Sequence, residues 1–270
     1  MKSIIISLLL LFTVQAQNVW YVDRDATGSA NGTSWANAWR TISSSNQISG
    51  GVNYSLISPG DTIYVSGGTD STIYRAPSGI YSHRIYPSGS GITYASGNPV
   101  VIAPAWHSGH NGEVYIGAED NNTEWILEIH NISNIKLTGL NFVDNRTGNR
   151  GTMLYLGGAG ADGLGIQDSL ITIENCHIVG NGRESMVYLE GYKITIKNCL
   201  IEQPENDLIN DQDPFGLSGG RGEHTIDGCT IIMRNGNEVT GAHRDGIQIS
   251  NIGDGIHTAK TQITISNNFI

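Results

Sequence analysis

The sequence has few Phe, few Cys and few positively charged residues. Only four Phe and three Cys occur in 270 residues, and 15 Lys and Arg stand against 25 Asp and Glu, a formal net charge of −10. An acidic chain without a basic run is a poor partner for nucleic acid. An odd number of Cys cannot pair completely within one chain. We therefore expect no nucleic-acid partner and no complete set of internal disulfides.

Long apolar runs are also missing. The one apolar stretch, Ile4–Val14, follows Lys2 and is shorter than the ~20 residues that a bilayer span requires. Small residues at Val14 and Ala16 match a signal peptidase site. The sequence predicts a cleaved signal peptide over residues 1–16. The mature chain would begin near Gln17, would not insert into a membrane, and would be secreted or held at the cell surface.

What the sequence does have is glycine, with 35 residues, and a recurring strand–turn–strand pattern. The five copies are Ile135–Phe142, Ile171–Ile178, Ile194–Ile201, His224–Ile231 and Ile263–Ile270. Each alternates apolar and polar residues with a period of two, so one face of each strand is buried. The turn position is always Gly or Asn: Gly139, Asn175, Asn198, Gly228 and Asn267. These residue types most readily adopt a left-handed backbone conformation, so the same turn is predicted in every copy.

The position after the turn contains all three cysteines: Cys176, Cys199 and Cys229. If the copies stack as successive rungs, the three side chains form an inward column with neighbours ~4.8 Å apart. A disulfide or a metal site is one interpretation. The other is that three small apolar side chains fill equivalent slots, and parallel side chains in a column suit stacking better than bridging.

A second short strand precedes each copy: Met153–Leu156, Met186–Leu189, Pro214–Leu217 and Gly246–Ile249. Short strands that recur between loops of different length are typical of a solenoid, here an all-β parallel β-helix. Three earlier segments, Gly60–Val65, Pro99–Ile102 and Trp125–Ile129, look like the first strands of more degenerate coils. We expect the solenoid to occupy residues 59–270 as a monomer.

The two ends of the solenoid are predicted to differ. Residues 17–58 would form an N-terminal strand and a short amphipathic capping helix over Ser34–Ile42, with Ser34 as its N-cap and Trp35 and Trp39 on one face. Such a cap covers the open end of a solenoid core. At the other end, the fifth copy runs to Ile270 without a cap. We therefore expect the β-helix to be incomplete at its C-terminal end.

The sequence resembles a group of secreted right-handed parallel β-helix proteins, the pectate-lyase-like superfamily of Bacteroidetes-type bacteria. The resemblance rests on Val19–Asp23, Gly32–Trp39, Pro59–Val65, His243–Gln248 and Ile263–Asn268, and it extends over nearly the whole mature chain. It implies a right-handed coil and an extracellular protein that acts on polysaccharide. The group includes lyases, hydrolases and proteins without a known reaction, so the fold alone does not fix the activity.

Aligning the second strands by Leu154, Val187, Phe215 and Ile247 also aligns the residues before them. One column reads Thr152, Ser185, Asp213 and Asp245; another reads Arg150, Arg183, Asp211 and His243, and Arg244 lies in the column between them. Stacking of the repeats would place more charged side chains close together here than anywhere else in the chain. Asp213 and Asp245 also precede Pro214 and Gly246, so both could simply cap turns through backbone hydrogen bonds.

The resemblance implies a role for these columns. Asp213, Asp245 and Asp211 would bind Ca²⁺, an ion that prefers oxygen ligands, and Arg244 would remove the proton beside a uronate carboxylate. His243 is a second candidate for the base, since its ordinary pKa lies near neutrality. Paired carboxylates, including Asp245, would instead suit glycoside hydrolysis.

Outward positions of the same strands include Tyr155, Tyr188 and Gln248. Stacked Tyr side chains could form a platform for sugar rings, or could simply pair across rungs and stabilise the sheet.

The sequence thus supports an enzyme that cleaves an acidic polysaccharide by β-elimination or hydrolysis. The alternative is a non-catalytic surface or adhesive protein in which the solenoid is a stiff spacer.

Overall fold

The computed structural model describes residues 17–76, 83–87, 92–94, 97–118, 125–144, 152–157, 169–180, 185–203, 213–218, 222–233, 246–250 and 263–270. The predicted signal peptide, residues 1–16, lies outside these ranges. Within them every strand pair is parallel, and strands far apart in sequence stack as successive rungs of three long sheets. The chain visits sheets 1, 2 and 3 in turn and then returns to sheet 1, which is the winding of a parallel β-helix.

The three sheets are defined by their strands. Sheet 1 contains Val19–Val22, Thr62–Val65, Val100–Pro104, Ile135–Thr138, Ile171–Glu174, Thr195–Lys197, Thr225–Asp227 and Thr264–Ser266. Sheet 2 contains Ser71–Ala76, Glu113–Ala118, Asn141–Val143, His177–Val179, Leu200–Gln203 and Thr230–Met233. Sheet 3 contains His83–Ile85, Leu127–Ile129, Leu154–Leu156, Ser185–Leu189, Asp213–Ser218 and Ile247–Ser250. Two small parallel pairs join Ile92–Thr93 to Ile132–Ser133 and Thr41–Ser44 to Gly51–Val52.

The core consists of aliphatic side chains stacked rung on rung. In sheet 1, Ile102, Leu137, Ile173, Ile196 and Ile226 occupy one continuous column, and all five are fully buried. Each such side chain contributes about 1.5–3 kcal/mol when it leaves water. The apolar–polar alternation of the repeats therefore specifies both the inner face and the register of the strands.

The predicted left-handed turns are confirmed at all five positions. Gly139, Asn175, Asn198, Gly228 and Asn267 have φ between 51° and 70°. The main-chain N–H groups of the first four donate to the following rung, as Asn175 N does to Lys197 O at 3.0 Å. One corner of the solenoid is thus a column of left-handed residues.

The cysteine column is also confirmed, and it is a packing feature. All three thiols are free and at most 2% exposed. Each Sγ points at a main-chain carbonyl of the preceding rung, for example Cys199 Sγ at 3.6 Å from Ile173 O. Contact with the Cys176 thiol, together with burial, raises the pKa of Cys199 to about 12. The three buried thiols act as small apolar side chains, and the interpretation as a disulfide is wrong.

The predicted N-terminal helix is wrong. Residues Trp35–Asn37 form a single 3-10 turn, although Ser34 is its N-cap as expected and accepts from Asn37 N. The chain then becomes extended, and Trp39 pairs with Val22 at the edge of sheet 1. Pairing satisfies main-chain groups at the open edge of the first coil, which a helix over Ser34–Ile42 would leave unpaired. The described residues contain no α-helix.

Trp39 and Tyr54 perform the capping that the sequence predicts for a helix. The Trp39 side chain is 1% exposed and stacks on Trp20 with ring centroids 5.3 Å apart. Tyr54 is 2% exposed and donates its hydroxyl to Ile42 O at 2.8 Å. Large aromatic side chains in irregular segments thus cover the first coil.

The early strands Gly60–Val65 and Pro99–Ile102 are correctly assigned, because Thr62–Val65 and Val100–Pro104 both lie in sheet 1. The assignment of Trp125–Ile129 to the same sheet is wrong. Leu127–Ile129 pairs with His83–Ile85 and Leu154–Leu156 in sheet 3. In the part of the chain that the structure describes, no helix has the length and apolarity of a membrane span.

Candidate functional site

The predicted substrate-binding residues lie in one column on the outer face of sheet 3. Tyr155 is in register with Tyr188, Tyr188 with Gly216, and Gly216 with Gln248. Toward the N-terminal end the same column continues through Glu128 to Arg84. We call the surface formed by Arg84, Glu128, Tyr155, Tyr188, Gly216 and Gln248 the sheet 3 face. Strand alternation places Arg84, Glu128, Tyr155, Tyr188 and Gly216 outward, because the neighbours on either side of each are buried in the core. Gln248 continues the column in register, on the last strand of sheet 3.

Aromatic rings follow this face across several rungs. Tyr155 and Tyr188 are stacked at a centroid distance of 5.5 Å and an interplanar angle of 8°. His130 and Trp125 each lie 5.3 Å from the Tyr155 ring, and Tyr86 lies 5.4 Å from His130. All five side chains are partly exposed. The sheet 3 face therefore contains an aromatic ladder that is open to solvent along its length.

Gly216 ends the ladder for a steric reason. A Cβ at this position would collide with Ser185 Oγ and would lie 3.0 Å from Tyr188 Cδ2. The Tyr188 side chain therefore leans over the main chain of the next rung, which has no side chain of its own there. The next outward side chain is Gln248, one rung further, which is partly exposed.

Acidic and basic groups flank the ladder. Arg84 Nε lies 2.7 Å from Glu128 Oε2, and His130 Nε2 lies 3.1 Å from Glu128 Oε1. The Glu128 side chain is only 7% exposed, so this carboxylate is held between two nitrogen groups at the base of the ladder.

The Tyr155 hydroxyl donates to the Glu190 carboxylate. Burial, that hydrogen bond and the charge of Glu190 raise the pKa of Tyr155. Tyr155 is therefore protonated at neutral pH and can act as a hydrogen-bond donor.

Of the predicted metal and catalytic residues, only Asp213 is described. Asp211, His243, Arg244 and Asp245 lie outside the described residues. The predicted column is formed where it is described, because Ser185 is in register with Asp213. Asp213 is 1% exposed, Ser185 3% and Thr152 6%, so this column is buried at the start of its strands. No cluster of three potential metal ligands occurs within the described ranges.

Sequence reasoning missed Arg84, Trp125, Glu128 and His130. The signal was present, since Glu128 and His130 alternate with the buried Leu127 and Ile129. It was lost because Trp125–Ile129 was assigned to the wrong sheet. Placed in sheet 3, this segment brings its aromatic and charged side chains beside Tyr155.

Comparison with known proteins adds little information about the function. No family model and no curated protein matches the chain. Three chains of solved structures do match. One is a rhamnogalacturonan lyase that aligns with 93% of this chain and 67% of its own length, at 11% sequence identity and a TM-score of 0.49. A likeness at that level says nothing about the activity of this chain.

Proposed function

We propose that this protein is an extracellular carbohydrate-active enzyme that binds an acidic polysaccharide along the sheet 3 face and cleaves it. The observation that supports the proposal best is the ladder of Trp125, His130, Tyr155 and Tyr188, flanked by Glu128 and Glu190. Pyranose rings present C–H bonds on their faces and hydroxyls at their edges. Aromatic side chains next to carboxylate and guanidinium groups complement both features.

A repeating ligand fits a repeating surface. Rungs of a parallel sheet are ~4.8 Å apart, so equivalent side chains recur at a constant interval along the solenoid. A polymer lying along this axis can use several rungs at once. We take the coil to be right-handed, as is the rule for parallel crossover connections.

The catalytic residues of the proposal are His243, Arg244 and Asp245, directly before the strand Ile247–Ser250. In β-elimination, a base removes the proton beside the uronate carboxylate and the glycosidic C–O bond breaks, leaving a double bond in the new terminal sugar. Arg244 or His243 would be that base. In hydrolysis, a carboxylic acid would protonate the leaving oxygen. A second carboxylate would either activate a water molecule that attacks the sugar or attack the sugar itself.

Calcium belongs to the elimination version of the proposal. Asp213, Asp245 and Asp211 would supply only carboxylate oxygens, the donor type that suits Ca²⁺, and the buried Asp213 is the kind of group that gains from a bound cation. The ion would offset the charge of the uronate. This matters because the chain is itself negative, at −10, and would otherwise repel a polyanion.

The decisive experiment separates cleavage from binding. The full chain is incubated with pectate, alginate and glycosaminoglycans, with Ca²⁺ or with a chelator, while unsaturated-uronate absorbance and new reducing ends are recorded. Elimination raises both signals, and hydrolysis raises only the second. Asp245→Asn and Arg244→Ala should lower either activity by at least about 100-fold. The control Asp70→Asn removes an exposed carboxylate that belongs to neither the sheet 3 face nor the catalytic segment and should leave it unchanged.

Binding is measured in parallel by affinity electrophoresis in gels that contain each polysaccharide. Tyr188→Ala should weaken retardation, whereas Tyr192→Ala, which removes a tyrosine outside the sheet 3 face, should not. Retardation without any product would contradict the enzymatic proposal and support the adhesive alternative. No retardation and no product with any polysaccharide would contradict both.

A further inference from the structure

A second site lies at the N-terminal end of the solenoid, away from the aromatic ladder. A cavity of about 220 Å³ opens between the first turn of the chain, sheet 2 and the start of sheet 3. Its walls include Arg24, Arg40, Thr41, Tyr74, Arg75 and His83. The structure describes only four arginines, and three of them line this cavity. In a chain of net charge −10 such a concentration of positive charge is unexpected on composition alone.

The three guanidinium groups are held in place by main-chain carbonyls. Arg24 Nη1 donates to Ile73 O at 2.6 Å, and Arg75 Nη1 donates to Ala118 O at 3.1 Å. Arg40 donates twice, from Nε to Ala26 O at 3.0 Å and from Nη2 to Gly28 O at 3.1 Å. These bonds orient each group but leave its charge unneutralised.

Two carboxylates lie near the cluster, because the charges of Asp23 and Asp25 add to burial in raising the pKa of Tyr74. Asp25 Oδ1 lies 3.4 Å from Arg24 Nε, and the Asp25 side chain is 79% exposed, so this pair is weakened by solvent. A guanidinium has five N–H donors, and the contacts above use one or two of them in each arginine. The cavity therefore presents several directed donors and a net positive charge.

His83 forms the floor of the cavity and does not add to its charge. Its Nε2 lies 3.1 Å from Tyr74 O and 3.2 Å from Gly117 O. Both are carbonyl oxygens that only accept, so Nε2 carries the proton and Nδ1 accepts from Thr41 Oγ1 at 3.4 Å. Burial lowers the pKa of His83 to about 4. The neutral ring ties the strands together beneath the three arginines.

An apolar trough adjoins the cavity. It has a volume of about 170 Å³ and is lined by Ile73, Arg75, Tyr115, Gly117, Ala118 and Val143. Ile73 and Arg75 belong to both spaces. A ligand that places an anionic group among the arginines can thus rest an uncharged ring in the trough.

We propose that this arginine cavity binds an oxyanion carried on a sugar ring, such as the carboxylate of a uronic acid. Guanidinium groups recognise carboxylate, sulfate and phosphate oxygens through paired charge-assisted hydrogen bonds. The cavity and the trough are each smaller than a drug-sized pocket, which fits a single sugar unit with one charged group. The site shares no residue with the sheet 3 face, so it stands or falls independently of the proposed cleavage.

Calorimetry of the full chain tests the proposal with matched ligands. Galacturonic acid should bind, and its uncharged methyl ester should bind at least about 10-fold more weakly, because the ester lacks the charge that the arginines recognise. Affinity for the acid should fall as NaCl is raised. Equal binding of acid and ester would overturn the proposal. Inorganic sulfate that binds more tightly than the acid would overturn its sugar component.

Variants locate the site. Arg75→Gln should weaken galacturonic acid binding at least about 10-fold, and Arg75→Lys, which keeps the charge, should weaken it less. Lys197→Gln removes one positive charge from sheet 1 and serves as the control, with no expected change. Melting temperatures confirm that each variant is folded. If Arg40→Gln and Arg75→Gln, singly and together, bind the acid as the parent chain does, the proposal is wrong.

Discussion

At the scale of single residues, the solenoid is organised by left-handed corners, of which only one column could be predicted. Gly and Asn mark that column in the sequence because they tolerate a positive φ. A second column precedes the sheet 1 strands at Asn134, Leu170, Lys193 and Glu223, with φ between 53° and 60°. Leu, Lys and Glu give no such signal. Stacking imposes the conformation, as when Leu170 N donates to Tyr192 O at 3.0 Å.

Leu170 should therefore carry conformational strain that Asn would relieve. We expect Leu170→Asn to raise the free energy of unfolding by about 1 kcal/mol, the usual cost of a left-handed residue that is neither Gly nor Asn. Urea unfolding followed by circular dichroism measures the change. Thr172→Asn, two residues further in an extended strand, is the control and should give no gain. A Leu170→Asn chain that is no more stable than its parent would show that the corner is unstrained.

At the scale of strands, the sequence predicts register well and sheet membership less well. The alignment of Leu154, Val187, Phe215 and Ile247 is reproduced pair by pair. Period-two alternation fixes which side chains face inward, but it is the same in all three sheets. The sheet to which a strand belongs can be read from the turn that follows it. The later coils show a turn of Gly or Asn followed by Cys, and the early coils lack this pattern. For this reason the sequence predicts the wrong sheet for Trp125–Ile129 and does not reveal that Trp125 and His130 belong to the aromatic ladder.

The fit between Tyr188 and Gly216 makes a prediction about adjacent strands. Gly216→Ala introduces a Cβ that collides with Ser185 Oγ and crowds the Tyr188 ring, so the ring must move away from its stacked position on Tyr155. We expect affinity for oligosaccharide to fall by about 5- to 10-fold, with a stability loss of about 1–3 kcal/mol from overpacking. Titration with oligosaccharide and urea unfolding measure the two effects.

The matched control for this change is Ser185→Ala combined with Gly216→Ala. Removing Ser185 Oγ relieves the closest collision and should recover part of the stability. Tyr188→Ala alone should lose the affinity without the overpacking. If Gly216→Ala binds oligosaccharide as tightly as the parent chain, the position of the Tyr188 ring is not important for binding.

At the scale of the whole molecule, the local charge of one cavity is opposite in sign to the net charge of the chain. The chain is acidic, yet Arg24, Arg40 and Arg75 converge on one cavity at its N-terminal end. The repeat could not predict this, because none of the three arginines belongs to the five copies. Arg24 follows the first strand, Arg40 precedes the short strand Thr41–Ser44, and Arg75 lies in the sheet 2 strand Ser71–Ala76. They meet because the irregular N-terminal segment packs against the first strand of sheet 2, as when Arg24 Nη1 donates to Ile73 O at 2.6 Å. The second site thus lies where the irregular N-terminal segment, which contains Arg24 and Arg40, meets the first strands of sheets 2 and 3.

Two histidines buried at different levels of the solenoid predict how stability depends on pH. Burial lowers the pKa of both His83 and His224 from the ordinary 6.5 to about 4. The free nitrogen of each neutral ring already accepts a hydrogen bond, His224 Nδ1 from Ile194 N at 3.3 Å and His83 Nδ1 from Thr41 Oγ1 at 3.4 Å. Burial disfavours the charged form of both rings. Between pH 6.5 and 4 the unfolded chain takes up protons that the folded chain excludes. Unfolding is therefore favoured as the pH falls through this window.

Each ring should contribute a loss of up to about 3 kcal/mol by pH 4, which urea unfolding at pH 7.5, 6, 5 and 4 will measure. His83→Gln keeps a donor for Tyr74 O and Gly117 O, and His224→Asn keeps an acceptor for Ile194 N, while neither new side chain titrates. The double variant should lose much of the slope below pH 6.5, whatever its stability at neutral pH. A slope equal to that of the parent chain would mean that the acid sensitivity arises from the carboxylates and not from these two imidazoles.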